Sequence, residues 1–102
     1  MRGADRPERA AVGHRGAAIL PCYRVGGRAL DVIARIGPEC ERIYVVDDGC
    51  PERTGDLVER ECRDPRVRVL RHEKNQGVGA AVTTGYRAAC DDGCTILVKI
   101  DG

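Results

Sequence analysis

Two adjacent carboxylates, Asp47 and Asp48, stand before Gly49 at the end of an apolar segment. A carboxylate in that position can accept a hydrogen bond from a ring N–H of a nucleobase or from a ribose hydroxyl. The same tripeptide also suits a plain turn, because Asp bonds its own backbone and Gly tolerates positive φ. Further along, Lys74-Asn75-Gln76-Gly77-Val78-Gly79-Ala80-Ala81 carries a cation and two glycines. Such a segment, opening a helix, presents unpaired N–H groups and a positive dipole end to an anion such as a diphosphate. Its plainer reading is a tight turn in which Asn75 caps the helix. Asp101, after the apolar Ile96-Leu97-Val98, could be a hard oxygen ligand for a divalent cation that bridges phosphates.

These residues need a frame, and the pattern supplies one. Residues 17–22 form an apolar run too short for a helix and suited to a buried strand. Residues 27–36 place Leu30, Ile33, Ala34 and Ile36 at helical spacing, and Gly37-Pro38 ends that helix. Residues 42–46 are β-branched and aromatic; residues 54–63 read as a helix that Thr54 can cap, broken by Pro65. Residues 66–71 alternate basic and apolar, residues 78–90 read as a third helix, and residues 95–100 as a fourth strand. Alternation of this kind predicts an α/β fold with a mainly parallel sheet. In such sheets ligands sit at the carboxyl ends of the strands. Pro21-Cys22-Tyr23, Asp47-Asp48-Gly49, Lys74-Asn75-Gln76-Gly77 and Asp101-Gly102 all fall there.

Composition excludes several classes. The 102 residues fit one small domain or part of a larger one, and the net charge of +1 gives no nucleic-acid footprint. With neither Trp nor Phe, no base-stacking platform of the single-strand binders and no membrane aromatic belt can be built. No apolar run approaches the roughly 18 residues of a membrane span. Residues 1–16 are polar and Arg-rich, so a flexible arm is expected rather than a secretory signal. The six cysteines show no C-x-x-C pair, which predicts free thiols in a reducing cytoplasm, with Cys90 and Cys94 the one spacing that could form a redox couple. His14, in the arm, and His72, at a strand end on the surface, are read as lying outside the chemistry. No Gly-Lys-Ser/Thr occurs, so a Walker loop is excluded. Gly77 and Gly79 imitate a dinucleotide fingerprint, but Val82 stands where a third small residue belongs and the segment follows the third strand, not the first.

In this order the pieces resemble the family 2 glycosyltransferases of GT-A fold, especially the branch of polyprenyl-phosphate sugar transferases. Ile19-Leu20-Pro21-Cys22-Tyr23 is similar to the family's first strand and Pro-x-Tyr turn. Ile43-Tyr44-Val45-Val46-Asp47-Asp48-Gly49-Cys50 is similar to its Val-Asp-Asp-Gly-Ser strand. His72 to Ala81 resembles its Asn-x-Gly-x-Gly-x-Ala segment, and Val98-Lys99-Ile100-Asp101-Gly102 the approach to its D-x-D motif. The resemblance implies that Pro21 and Tyr23 line a nucleobase pocket, that Asp47 holds the base, and that Lys74 approaches the phosphates. Val45, Asp48, Asn75 and Gly77 belong to the same nucleotide-binding set, and Asp101 is the first metal carboxylate. It further implies Mg²⁺ or Mn²⁺ as cofactor, a nucleotide-diphospho-sugar donor, inverting transfer, and an acceptor such as a lipid phosphate at the inner membrane face.

The departures are specific. Arg24-Val25 stand where the family has Asn-Glu, and Cys50 stands for Ser. The sequence ends at Gly102, before a second metal carboxylate, so the catalytic base is expected beyond residue 102 and residues 17–102 are expected to be an inactive nucleotide-binding half. A dinucleotide-binding unit and a non-catalytic nucleotide-binding module are the alternatives.

Overall fold

The structure is a computed structural model that describes residues 15–101. Its elements alternate: β1 (Gly16–Cys22), α1 (Arg28–Arg35), β2 (Cys40–Asp48), α2 (Thr54–Glu61), β3 (Val67–His72), α3 (Val78–Asp91) and β4 (Ile96–Lys99). The strands pair in parallel throughout, in the order β3-β2-β1-β4. The α/β architecture with a parallel sheet is therefore the one expected. The arm expected over residues 1–16, His14 included, lies outside the described residues apart from Arg15 and Gly16, and Gly16 already pairs with Ile96 and Cys40.

Both faces of the central strands are covered, which is why β1 and the middle of β2 read as continuous apolar runs rather than alternating ones. Ala18, Leu20, Ile43 and Val45 point to α1 and α2, together with Ala29, Ile33 and Val58. Ala17, Ile19, Tyr44 and Val46 point to α3, against Ala81 and Ala89. On α1 the buried stripe is Ala29 and Ile33 with Leu30, Val32 and Ile36 beside them; Ala34, expected on that face, is exposed. The outer strand β4 leaves two apolar side chains, Ile96 and Val98, in water.

One glycine sets how near α3 lies to the sheet. A Cβ placed on Gly85 would sit 2.5 Å from Ile19 Cγ2 and 3.2 Å from its Cδ1, inside a fully buried side chain. Glycine inside a helix costs roughly 1 kcal/mol against alanine, so the close approach must return more than that. Gly85→Val is expected to lower stability by about 2 kcal/mol, because an overpacked core shifts backbone and rotamers together. Urea unfolding checks this, and a variant as stable as the wild type would contradict the close approach.

Arg66, which the alternation over residues 66–71 marks only as a solvent-facing base, is a clamp just ahead of β3. Its guanidinium donates to the carbonyls of Ile36, Gly37 and Cys40 at 2.7–3.0 Å while pairing with Asp64 at 2.8 Å. It thereby satisfies the carbonyls between the end of α1 and the start of β2, which a helix end otherwise leaves without partners.

Candidate functional site

The strand order turns at β1: β2 and β3 lie to one side, β4 to the other. A parallel sheet opens a crevice at the carboxyl end of such a switch point. A cavity of about 320 Å³ sits there, lined by Pro21, Cys22, Tyr23, Val25, Asp48, Asn75, Val78, Ala81 and Asp101. Five of the residues singled out in the sequence thus meet in one place: Pro21, Tyr23, Asp48, Asn75 and Asp101.

The two aspartates part company, for a reason internal to β2. The strand does not stop at Val46; its ladder runs on through Asp47↔Arg71 and Asp48↔His72. Successive side chains of a strand point to opposite faces. Asp47 therefore faces α2, where Oδ1 accepts the N–H of Cys50 and Oδ2 that of Gly55, both at 2.8 Å. Asp48 faces the α3 side, where Oδ1 accepts the N–H of Gln76 and Oδ2 that of Gly77, both at 2.9 Å. A carboxylate offers about four acceptor sites. Asp48 Oδ1 takes a second bond, 2.7 Å from His72 Nδ1, which leaves one acceptor site on Oδ2 of a residue that lines the crevice.

Two caps expected from the sequence are replaced by these bonds. Thr54 does not cap α2: it is the first helical residue, fully buried, with its hydroxyl 3.3 Å from Cys50 Sγ, while Arg53 takes the cap position in the left-handed region (φ 53). The acceptor for Gly55 comes instead from Asp47, eight residues back. Asn75 does not cap α3 either; Gly77 occupies that position at φ 97 without a side-chain bond, and Asp48 accepts the N–H groups of Gln76 and Gly77 just ahead of the helix. Lys74 is exposed on the loop and does not line the crevice. Val45 is fully buried between β2 and the α1/α2 layer, so its side chain does not reach it. Gly77 meets Asp48 through its N–H.

His72 is the functional candidate that the sequence reading passes over. It is not a surface residue: its side chain is 9 % exposed and bonded at both ring nitrogens, to Asp48 and to Thr84 Oγ1 at 2.8 Å. The only hint in the sequence is its place at the end of a strand two residues before Lys74.

The loops are fastened to one another. Gly49, at φ 67, has room for no side chain, since a Cβ there would strike the backbone of Lys74 and Asn75. Cys50 Sγ accepts the N–H of Arg24 at 3.1 Å, which ties the loop after β1 to the loop after β2. Arg24 itself has φ 59 and holds its guanidinium 5.4 Å from the centre of the Tyr23 ring. That geometry is a cation–π contact on an exposed tyrosine.

Burial works against ionisation of Asp48, but the hydrogen bonds from His72 and from the N–H groups of Gln76 and Gly77 outweigh it and hold the carboxyl below its ordinary range. A depressed carboxyl contributes stability that is complete above its unfolded pKa and is lost as pH falls through the folded one. The stability difference between the wild type and Asp48→Asn should therefore narrow as pH is lowered from about 5 to about 2. Asp64, also held low by Arg66, is present in both proteins and cancels. A difference that stays constant over that range would contradict the ionised, bonded carboxylate. Burial, and then the charges of Asp47 and Cys50, push the Cys22 thiol in the crevice wall up to about 12, so it is no nucleophile at neutral pH. The described cysteines are all free thiols; Cys94 is buried and Cys90 exposed.

Asp101 stands at the β4 side of the crevice, its carboxylate 87 % exposed and 3.0 Å from Lys99 Nζ. Among the described residues no group of three or more His, Cys, Asp or Glu could hold a metal ion. A lone carboxylate has the hard oxygen chemistry that Mg²⁺ and Mn²⁺ prefer, but it completes no coordination shell. No helix among the described residues is long and apolar enough to cross a membrane.

The chain is 37% identical over 76 residues to an undecaprenyl-phosphate mannosyltransferase of Micrococcus luteus, covering 74% of this chain and 29% of that protein. It is 33% identical over 91 residues to a polyprenol monophosphomannose synthase of Mycolicibacterium smegmatis, covering 85% and 34%. A third relative, an uncharacterized glycosyltransferase EpsJ of Bacillus subtilis, is 36% identical over 75 residues, covering 70% and 22%. The chain thus spans about a third or less of the length of these relatives. Residues 18–101, nearly everything the structure describes, match the family described as glycosyl transferase family 2, and the chain belongs to that family.

Proposed function

We propose that residues 15–101 form the donor-nucleotide half of a glycosyltransferase that moves a sugar from a nucleotide-diphospho-sugar to a polyprenyl phosphate. The observation that carries this reading is the crevice between β1 and β4, with an aromatic ring, a carboxylate that has one acceptor site left and a helix N-terminus on its walls. Pro21 and Tyr23 supply the apolar surface for the base. The free acceptor site of Asp48 Oδ2 takes a donor N–H of the base. Asp47 has spent its carboxylate on α2 and does not touch the ligand. At the first turn of α3, Val78, Gly79 and Ala80 precede the first helical hydrogen bond, Ala81 to Gly77, so their N–H groups are available to a diphosphate. Lys74, exposed next to that turn, adds charge attraction at the phosphate end.

Asp101 is the one described residue suited to a Mg²⁺ or Mn²⁺ ion, whose remaining ligands would be diphosphate oxygens and groups outside residues 15–101. When bound, that ion neutralises the charge of the departing nucleoside diphosphate. The chain's own part is to hold the nucleotide rigidly, so that the anomeric carbon stands where an acceptor oxygen can attack in line, with inversion. The acceptor class is drawn from the names of the two mannosyl-transferring relatives. A lipid acceptor fits work at the cytoplasmic membrane face.

Transfer of labelled sugar from GDP- and UDP-sugars to undecaprenyl phosphate, by the polypeptide that carries these residues, tests the proposal. Label in the lipid phase, dependent on Mg²⁺ or Mn²⁺, is the expected result. Label released only as free sugar, or none from any donor, would sink the polyprenyl-phosphate reading.

A further inference from the structure

Of the crevice wall, Val78 opens α3, while Asn75 belongs to a loop that no strand pairing holds. Residues 73–77 follow the last residue of the outer strand β3, and β3 has β2 as its neighbour on one side only. What fixes this loop is Asp48, through the N–H groups of Gln76 and Gly77. Asp48 in turn has a rotatable carboxyl group, and its orientation is decided by a third bond, to His72. The His72 ring cannot swing freely, since Thr84 on α3 holds its other nitrogen.

The proton assignment follows from the partners. An ionised carboxylate only accepts, so Nδ1 carries the hydrogen that Asp48 receives, and Nε2 accepts from the Thr84 hydroxyl in the neutral ring. In the protonated ring Nε2 donates to the same hydroxyl oxygen. Both states keep the ring in place.

We infer that His72 is a positioning residue of the nucleotide crevice: held by Thr84, it orients the Asp48 carboxylate, and through it fixes the Gln76-Gly77 backbone that walls the site. This rests on the nucleotide reading only for its consequence in binding; the positioning itself concerns the free chain. His72 touches no ligand, and its effect runs through Asp48.

Two substitutions separate its two bonds. In His72→Asn the side-chain amide stands near Nδ1 and can still donate to Asp48, while the Thr84 bond is lost. In His72→Gln the amide reaches toward Nε2 and Thr84, and Asp48 loses its donor. Amide hydrogen exchange at Gln76 and Gly77 in the ligand-free chain, with melting temperature recorded alongside, reads the positioning. Affinity for GDP and UDP with Mn²⁺ reads its consequence.

Loss of a hydrogen bond to a charged group should register at about tenfold, which corresponds to about 1.4 kcal/mol. His72→Gln is therefore expected to raise exchange at both amides about tenfold and to weaken nucleotide binding about tenfold. His72→Asn should restore both to within about threefold of the wild type, even where the two variants melt at the same temperature. Equal exchange in the two variants, or exchange that merely follows melting temperature, overturns the inference. If the exchange pattern splits as expected but the wild type binds neither nucleotide, the positioning stands and the nucleotide reading fails.

Discussion

Replacement of Asp48 by Ala is expected to weaken nucleoside-diphosphate binding at least about 30-fold, the equivalent of about 2 kcal/mol. Three donors meet on this one carboxylate: His72 Nδ1, Gln76 N and Gly77 N, at 2.7–2.9 Å. Alanine removes the acceptor that gathers them and the one site left for a base. The backbone N–H groups lie in a partly exposed loop and can turn to water, so much of the loss appears as a displaced crevice wall rather than as unfolding. His72 is less fortunate, since its ring stays enclosed with one nitrogen unmet. A destabilisation of about 2 kcal/mol should accompany the binding loss. Calorimetric titration with GDP and UDP in Mn²⁺, at a temperature where the variant is folded, separates the two. Binding within threefold of the wild type would remove Asp48 from the site.

Asp47→Ala is expected to show the opposite profile. Its carboxylate is buried and joins the end of β2 to the first turn of α2 through Cys50 and Gly55. Both bonds are buried, both donors lose a charged acceptor, and each such loss costs about 1–3 kcal/mol. A total of about 3–4 kcal/mol is expected, which in a domain of this size lowers the melting temperature by on the order of 15 °C. Nucleotide affinity of the folded protein should fall less than about threefold, since Asp47 lies across the sheet from the crevice wall that Asp48 builds. A large affinity loss with an unchanged melting temperature would return Asp47 to the role of holding the base that the family resemblance implies.

The contrast between these neighbours shows what sequence can and cannot carry. The alternation of apolar runs with helical stretches between Gly16 and Lys99 is a property of the chain itself, so the strand and helix order, the parallel sheet and the convergence of four strand ends were legible. The division of labour between Asp47 and Asp48 depends on where the β2 ladder ends. That is set by pairing with β3, Asp48 opposite His72, and nothing local to Asp-Asp-Gly announces it. Thr54 and Asn75 carry the right chemistry for caps, yet both are displaced by carboxylates arriving from β2, a tertiary contact over 8 to 29 residues. Arg66 and His72 were hidden for the same reason: a charged residue in an alternating strand reads as solvent-facing until its partners are known. Asp101 stood out by its position after an apolar strand and does line the crevice; Lys74 stood out by its charge beside glycines, which says nothing of whether it reaches the crevice.

The proposed function stands on the β1/β4 crevice taking a nucleoside diphosphate. Its most direct test is calorimetric titration of the chain with GDP, UDP and NAD, each with and without Mn²⁺, on the wild type and on Tyr23→Ala. GDP or UDP is expected to bind, more strongly with Mn²⁺ and about tenfold or more weakly in Tyr23→Ala through loss of the aromatic surface, and NAD is expected not to bind. NAD binding tighter than either nucleoside diphosphate, or nucleotide binding indifferent to Tyr23, would contradict it.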